Sequence, residues 1–194
     1  MQVSSLRDSI TALEEDLIAS PMRISAYHDL PFAILRYDPE EEWNLRREVK
    51  YLATRLHIAG KQVHTVSLAE LLWEAIDDAE GLDAVVKLER ERGFVAAQEQ
   101  VTTYLSDPDW RPLPEMLSER LEHLDPKRDV AFLLRAAAMA PAIYHMSSLL
   151  DKMQGKTRLP TVLFYPGTPE GTTGLHFMGL KDRETTGNYR VKIY

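Results

Sequence analysis

The chain has 194 residues, 44% of them apolar, no cysteine and a formal net charge of −7. These values predict one globular domain with a buried core and argue against a disordered chain. They also exclude disulfides, thiolate metal sites and cysteine nucleophiles, which favours a reducing compartment. No apolar run reaches the roughly 20 residues that span a bilayer, and the N-terminal residues do not resemble a signal peptide. We therefore expect a cytoplasmic protein without membrane contact.

The charge is unevenly distributed along the chain. Residues 1–126 hold 13 Lys/Arg against 25 Asp/Glu, whereas residues 127–194 hold 10 against 5. The asymmetry suggests oriented docking, although charges scattered over the folded surface explain it more simply. A weak nucleic-acid contact through the basic C-terminal portion is a further hypothesis, and it would use Lys181, Arg183, Arg190 and Lys192.

The first elements along the chain have clear signals. Within residues 1–27, apolar residues at spacings of four, three and four predict an amphipathic helix over Ser5–Ala19. The apolar run Phe32–Tyr37 predicts the first strand. Asp38 then suits a helix N-cap, and Pro39 suits the first helical position. The buried face of this helix is predicted to consist of Trp43, Leu45, Val49, Leu52 and Leu56.

A second strand and helix follow in the same alternation. Gln62–Val66 is predicted as a strand, and Ser67 with Glu70 forms a capping box for the next helix. The order strand, helix, strand, helix predicts a parallel sheet. Residues 81–124 interrupt this order with three short helical patterns, which predict a helical insertion.

The sheet resumes with two unbroken apolar runs, Asp129–Ala136 and Leu159–Gly167. Runs without polar alternation are typical of strands covered on both faces. A helix is predicted from Pro141, between them. The patterns of Leu175–Leu180 and Asn188–Tyr194 predict further strands, the last at an antiparallel edge. The expected fold is a single α/β domain over residues 1–194, with a mostly parallel central sheet flanked by helices.

The most specific candidate for phosphate binding is Gly155-Lys156-Thr157, which matches the end of a P-loop. The full motif needs a glycine five residues earlier, where this chain has Leu150. The order of elements is also reversed, since a helix ends here and a strand follows. We therefore predict an ordinary helix C-cap at Gly155.

No other pattern predicts catalysis. The acidic residues of Asp38–Glu42 suit helix capping, and the six histidines are isolated from metal-binding or catalytic motifs. We expect no catalytic residues, no metal site and no cofactor, so the protein is predicted not to be an enzyme.

The strand ends leave one candidate surface. Tyr165-Pro166-Gly167 closes the most apolar strand, either as a simple turn or as a rigid platform for a partner. Arg135 ends the other buried strand, and tyrosine and arginine are both favoured at interfaces. Candidate partner-binding residues are therefore Arg135, Tyr165, Gly167 and Arg190.

The chain resembles the BrxB family of bacteriophage exclusion (BREX) defence systems. The resemblance rests on LRYDPEEEW at Leu35–Trp43, VSLAELLWE at Val66–Glu74, FYPG at Phe164–Gly167, LHFMGL at Leu175–Leu180 and YRVKI at Tyr189–Ile193. It implies a non-catalytic component that binds a PglZ-type protein and other BREX components. The alternative is a nucleotide- or nucleic-acid-binding α/β domain without hydrolytic activity.

Overall fold

The structure is a computed structural model, and it describes residues 5–24, 31–141, 143–170, 174–179 and 191–194. Seven α-helices lie in this part of the chain: α1 (Leu6–Ile18), α2 (Glu42–Ile58), α3 (Leu68–Asp78), α4 (Leu82–Arg92), α5 (Phe94–Ser106), α6 (Leu113–Leu121) and α7 (Met146–Met153). The strands there are β1 (Phe32–Tyr37), β2 (Gln62–Ser67), β3 (Asp129–Leu134), β4 (Thr161–Glu170), β5 (Gly174–Phe177) and β6 (Lys192–Ile193). Two short 3₁₀ helices span Pro39–Glu41 and Ala136–Met139.

The sheet has the order β2-β3-β4-β1-β6, and every neighbouring pair along this path is parallel. Strand β4 is the central strand, paired with β1 from Phe32–Thr161 to Tyr37–Pro166. Its far end leaves this sheet and pairs with β5 in an antiparallel hairpin. The predicted α/β fold with a mostly parallel sheet is thus confirmed.

Helices cover both faces of the sheet, which explains the unbroken apolar strands. Along β1, Phe32 and Ile34 belong to one buried cluster, whereas Ala33 and Leu35 belong to the other. Residues of α3, α5, α6 and α7 complete the first cluster, and residues of α1 and α2 complete the second. Successive side chains of a strand point to opposite faces, so a strand between two helical layers needs apolar residues throughout.

Helix α2 corrects one expectation from the sequence. Its buried residues are Leu45, Val49, Leu52 and Leu56, as predicted, but Trp43 is 76% exposed. Trp43 lies two residues before Leu45, which is about 200° around the helix at 3.6 residues per turn. The tryptophan therefore faces solvent while the leucine faces the sheet.

Three helices occupy residues 81–124, where a helical insertion was predicted. Helices α5 and α6 contribute Val101, Tyr104 and Leu117 to the first cluster, whereas α4 has no buried residue. The burial of Tyr104 and its hydrogen bond to Glu80 raise the pKa of the tyrosine to about 12. The inner part of the insertion is therefore integral to the core, and α4 packs outside it.

Three features near the C-terminus also differ from the sequence prediction. Tyr165-Pro166-Gly167 neither ends its strand nor forms a turn, because β4 continues through it to Glu170 and pairs with β5 from Gly167 onward. The helix expected from Pro141 begins at Met146. The last strand lies at the sheet edge, as expected, but β6 runs parallel to β1. The antiparallel pair of this region is formed instead by β4 and β5.

Candidate functional site

The carboxyl ends of β1, β3 and β4 meet where the chain connections change direction. After β1 the chain enters α2 on one face of the sheet, and after β3 it enters α7 on the other. Strand β4 lies between these two strands. In open α/β sheets such a switch point leaves a crevice beyond the strand ends, where ligands bind.

A cavity of about 360 Å³ occupies this position, and we call it the switch-point cavity. The segments after β1 and β3 contribute to it, as do β4 where it leaves the parallel sheet, the start of α3 and the turn after β5. Its lining residues are Pro39, Glu42, Arg46, Ala69, Arg135, Ala137, Ala138, Pro166 and Met178. The lining thus combines three charged side chains, those of Glu42, Arg46 and Arg135, with a mainly apolar wall.

Glu42 organises the charged side of the cavity. One carboxylate oxygen accepts a hydrogen bond from the Tyr37 hydroxyl at 2.5 Å, and the other accepts one from Arg46 Nε at 2.8 Å. Burial and this hydrogen bond to Glu42 raise the pKa of Tyr37 above its ordinary value. The Arg46 guanidinium also lies 4.7 Å from the centre of the Trp43 ring, in the range of a cation–π contact.

Two residues that line the cavity have an unusual backbone. Arg135 has φ 61° and Met178 has φ 55°, and among the described residues these are the non-glycine positions with positive φ. Side chains with a Cβ are disfavoured in this region. Strained residues cluster at functional sites. Because these two residues line the same cavity, the cavity is a candidate functional site. Arg135 itself is exposed, and no described residue pairs with its guanidinium.

The other predicted residues of this edge have different positions. Tyr165 is 2% exposed, and its ring packs edge-on against Phe177 at 5.3 Å. A Cβ added at Gly167 would lie 2.3 Å from the carbonyl oxygen of His176. The carbonyl oxygen of Gly167 also lies 3.5 Å from Arg36 Nη1. Burial therefore favours a packing role for Tyr165, and close strand pairing explains the glycine.

The basic C-terminal residues fall mostly outside the described part of the chain. This holds for Arg190, and for Lys181 and Arg183 of the nucleic-acid hypothesis. Lys192 is described, and its ammonium donates a hydrogen bond to Asp16, which also accepts one from the Tyr194 hydroxyl at 2.6 Å. Lys192 is therefore engaged within the fold.

The remaining sequence candidates have structural roles. Gly155 follows the end of α7 with φ 74°, and Lys156 N donates to Met153 O, as predicted for a helix C-cap. Asp38 accepts a hydrogen bond from Glu40 N at 3.0 Å. Within the described ranges, no group of three or more metal-ligating side chains could hold an ion. No helix in the same ranges combines the length and apolarity of a membrane span.

A second surface feature adjoins the cavity, and we call it the α2 outer face. It consists of Trp43, Tyr51 and Ile58, which are 76%, 54% and 81% exposed. At 3.6 residues per turn these three side chains lie within roughly 80° of one another. They are opposite the buried leucines, so three large apolar side chains project from the side of α2 that faces away from the sheet, with the exposed Arg47 and Thr54 between them.

Sequence reasoning missed most of this site. Glu42 and Arg46 are four residues apart on one helix, which is a detectable ion-pair spacing. Trp43 was assigned to the core, and Met178 gave no signal because its position depends on the β4–β5 hairpin. Of the candidate residues that the structure describes, Arg135 is the one that lines the cavity.

The comparisons with known proteins agree on one family. The family model described as BREX protein BrxB matches residues 64–193. A protein of Bacillus cereus (strain H3081.97), named BREX protein BrxB, is 23% identical over 159 residues, which are 80% of each chain. No solved structure matches significantly. The family match covers more than half of the sequence, and this chain therefore belongs to the BrxB family of BREX proteins.

Proposed function

We propose that this protein is a non-catalytic interaction subunit of a BREX phage-defence system and that it binds a PglZ-type partner. Its BrxB family membership indicates a role in such a system. The observation that carries the proposal is the exposed α2 outer face beside the switch-point cavity. The PglZ-type partner follows from the family resemblance of the sequence.

The composition of this surface supports a docking role. Tryptophan, tyrosine and arginine are the side chains most enriched among residues that dominate binding energy. The α2 outer face contains Trp43 and Tyr51, and Arg46 stacks on the tryptophan. An exposed tryptophan gains the hydrophobic free energy of burial only when another molecule covers it. A partner that covers Trp43 would also close the rim of the cavity.

Co-expression provides the first test. The tagged full-length chain would be produced with the PglZ-type protein of its own operon, purified, and passed through size-exclusion chromatography. We expect a stoichiometric complex that survives the column. Elution of the tagged chain alone, at concentrations well above micromolar, would contradict the proposal.

The non-catalytic part of the proposal needs its own measurement. The complex and the isolated chain would be compared in phosphatase, nuclease and ATPase assays. We expect any activity to follow the partner protein and to be absent from the isolated chain. Activity in the isolated chain that a substitution in its own cavity abolishes would refute this part.

A further inference from the structure

We infer that the switch-point cavity is a binding site for a small phosphate-bearing molecule, up to about the size of a mononucleotide. The inference concerns a ligand of this chain alone and does not depend on the proposed partner. It rests on the charges, the apolar wall and the backbone around the cavity, which we take in turn.

The charged residues leave one cation without a partner. Both oxygens of Glu42 already accept a hydrogen bond, one from Tyr37 and one from Arg46, and the Arg46 ion pair balances its charge. Arg135 lines the same cavity and has no ion pair with a described residue. A guanidinium presents a planar fork of donors that matches phosphate oxygens in a bidentate contact. The unpaired charge therefore favours an oxyanion in this cavity.

The rest of the wall suits the uncharged part of such a ligand. It is built from small or apolar side chains, namely those of Pro39, Ala69, Ala137, Ala138, Pro166 and Met178. Ligand pockets typically combine an apolar lining with a few placed polar groups and have volumes of roughly 300–1,000 Å³. A cavity of about 360 Å³ is at the lower end of that range, which limits the ligand to a compact molecule.

The backbone around the cavity contributes in two ways. One helix terminus adds a positive electrostatic potential that favours an anion, and two residues have an unusual conformation that fixes where their side chains begin. Ala69 is the second residue of α3, an 11-residue helix capped by Ser67, so the positive end of this helix adjoins the cavity. Arg135 and Met178 keep a left-handed backbone at the cavity wall. The two residues therefore present their side chains in positions that an unstrained backbone would not give.

Binding of adenosine monophosphate to the full-length chain tests the inference. At low ionic strength we expect AMP at about millimolar concentration to raise the melting temperature, since a ligand that binds the folded state stabilises it. Inorganic phosphate should give a smaller rise, and adenosine, which lacks the phosphate, should give none. Titration calorimetry should show that Arg135→Ala weakens AMP binding by about 10- to 100-fold.

A matched variant controls for the general loss of a positive charge. Arg92 is exposed on α4, away from the cavity lining, and Arg92→Ala should bind AMP like the wild type. The inference is overturned if neither AMP nor phosphate raises the melting temperature, or if Arg135→Ala binds AMP normally. Equal stabilisation by succinate and phosphate would overturn the assignment to phosphate, because succinate carries only carboxylates.

Discussion

Arg135→Gly is expected to stabilise the protein even though it removes a candidate binding residue. Arg135 has φ 61° and ψ 36°, a left-handed conformation directly after β3. An L-residue with a Cβ pays about 1–2 kcal/mol in this region, whereas glycine enters it freely. The side chain is exposed and makes no ion pair with the described residues, so its removal forfeits little packing.

The size of the effect follows from two opposing contributions. Relief of the strained backbone favours the folded state by about 1–2 kcal/mol. Glycine also has greater backbone freedom in the unfolded chain, which opposes folding by about 0.5–1 kcal/mol relative to alanine. The net gain in the free energy of unfolding therefore lies between about 0 and about 1.5 kcal/mol, with a midpoint of about 0.75 kcal/mol. For a chain of this length the midpoint corresponds to an increase in melting temperature of roughly 1.5–3 °C.

Arg135→Ala is the matched control, because it removes the same guanidinium but keeps a Cβ in the left-handed region. Urea unfolding followed by circular dichroism would measure both variants against the wild type. We expect the glycine variant to be more stable than the alanine variant, and both to lose ligand affinity. If the alanine variant is as stable as the glycine variant, the backbone at Arg135 is not strained and this reasoning fails.

Two further substitutions test other contacts in the fold. Gly167→Ala should lower the free energy of unfolding by about 1–3 kcal/mol, because the added Cβ would lie 2.3 Å from the carbonyl oxygen of His176. Urea unfolding measures this change, and unchanged stability would contradict the close strand pairing. Burial alone would raise the pKa of Asp16, but hydrogen bonds from Lys192 and Tyr194 and nearby positive charge outweigh it, so the pKa is lowered. A carboxyl group with a lowered pKa stabilises the folded state at pH values above the ordinary pKa of aspartate. This stabilisation is lost as the pH falls through the pKa that the group has in the folded state. Asp16→Asn should therefore cost about 1–3 kcal/mol at neutral pH and flatten the loss of stability below about pH 4; an unchanged acid profile in unfolding experiments would contradict this.

The strands and their layers were predictable because a strand that is buried on both faces has an unbroken apolar sequence. The run Phe32–Tyr37 was assigned with its observed bounds, and the apolar core of β4 was assigned as well. The capping signals at Asp38 and Ser67 were equally local, since a cap depends on residues within one helical turn. Ser67 accepts a hydrogen bond from Glu70 N, which is the first half of the predicted capping box. Asp38 accepts one from Glu40 N, but it caps the short 3₁₀ helix Pro39–Glu41 that precedes α2.

The candidate site was much less predictable, because it depends on tertiary placement. Trp43 has the composition of a core residue, and only the orientation of α2 on the sheet exposes it. Met178 reaches the cavity through the β4–β5 hairpin, far along the chain from Pro39 and Arg46. The left-handed backbone of Arg135 gave no signal either, since arginine is not a residue type that marks this conformation.

The most direct test of the interaction role is the affinity of the purified chain for the proposed PglZ-type partner. Biolayer interferometry would compare the wild type with Trp43→Ala and with Trp73→Ala, a matched loss of an exposed tryptophan from α3 on the other face of the sheet. Loss of a central interface tryptophan typically costs 2 kcal/mol or more, so we expect Trp43→Ala to weaken binding by about 30-fold or more. Trp73→Ala should bind like the wild type. Wild-type affinity in Trp43→Ala, or an equal loss in both variants, would contradict docking on the α2 outer face.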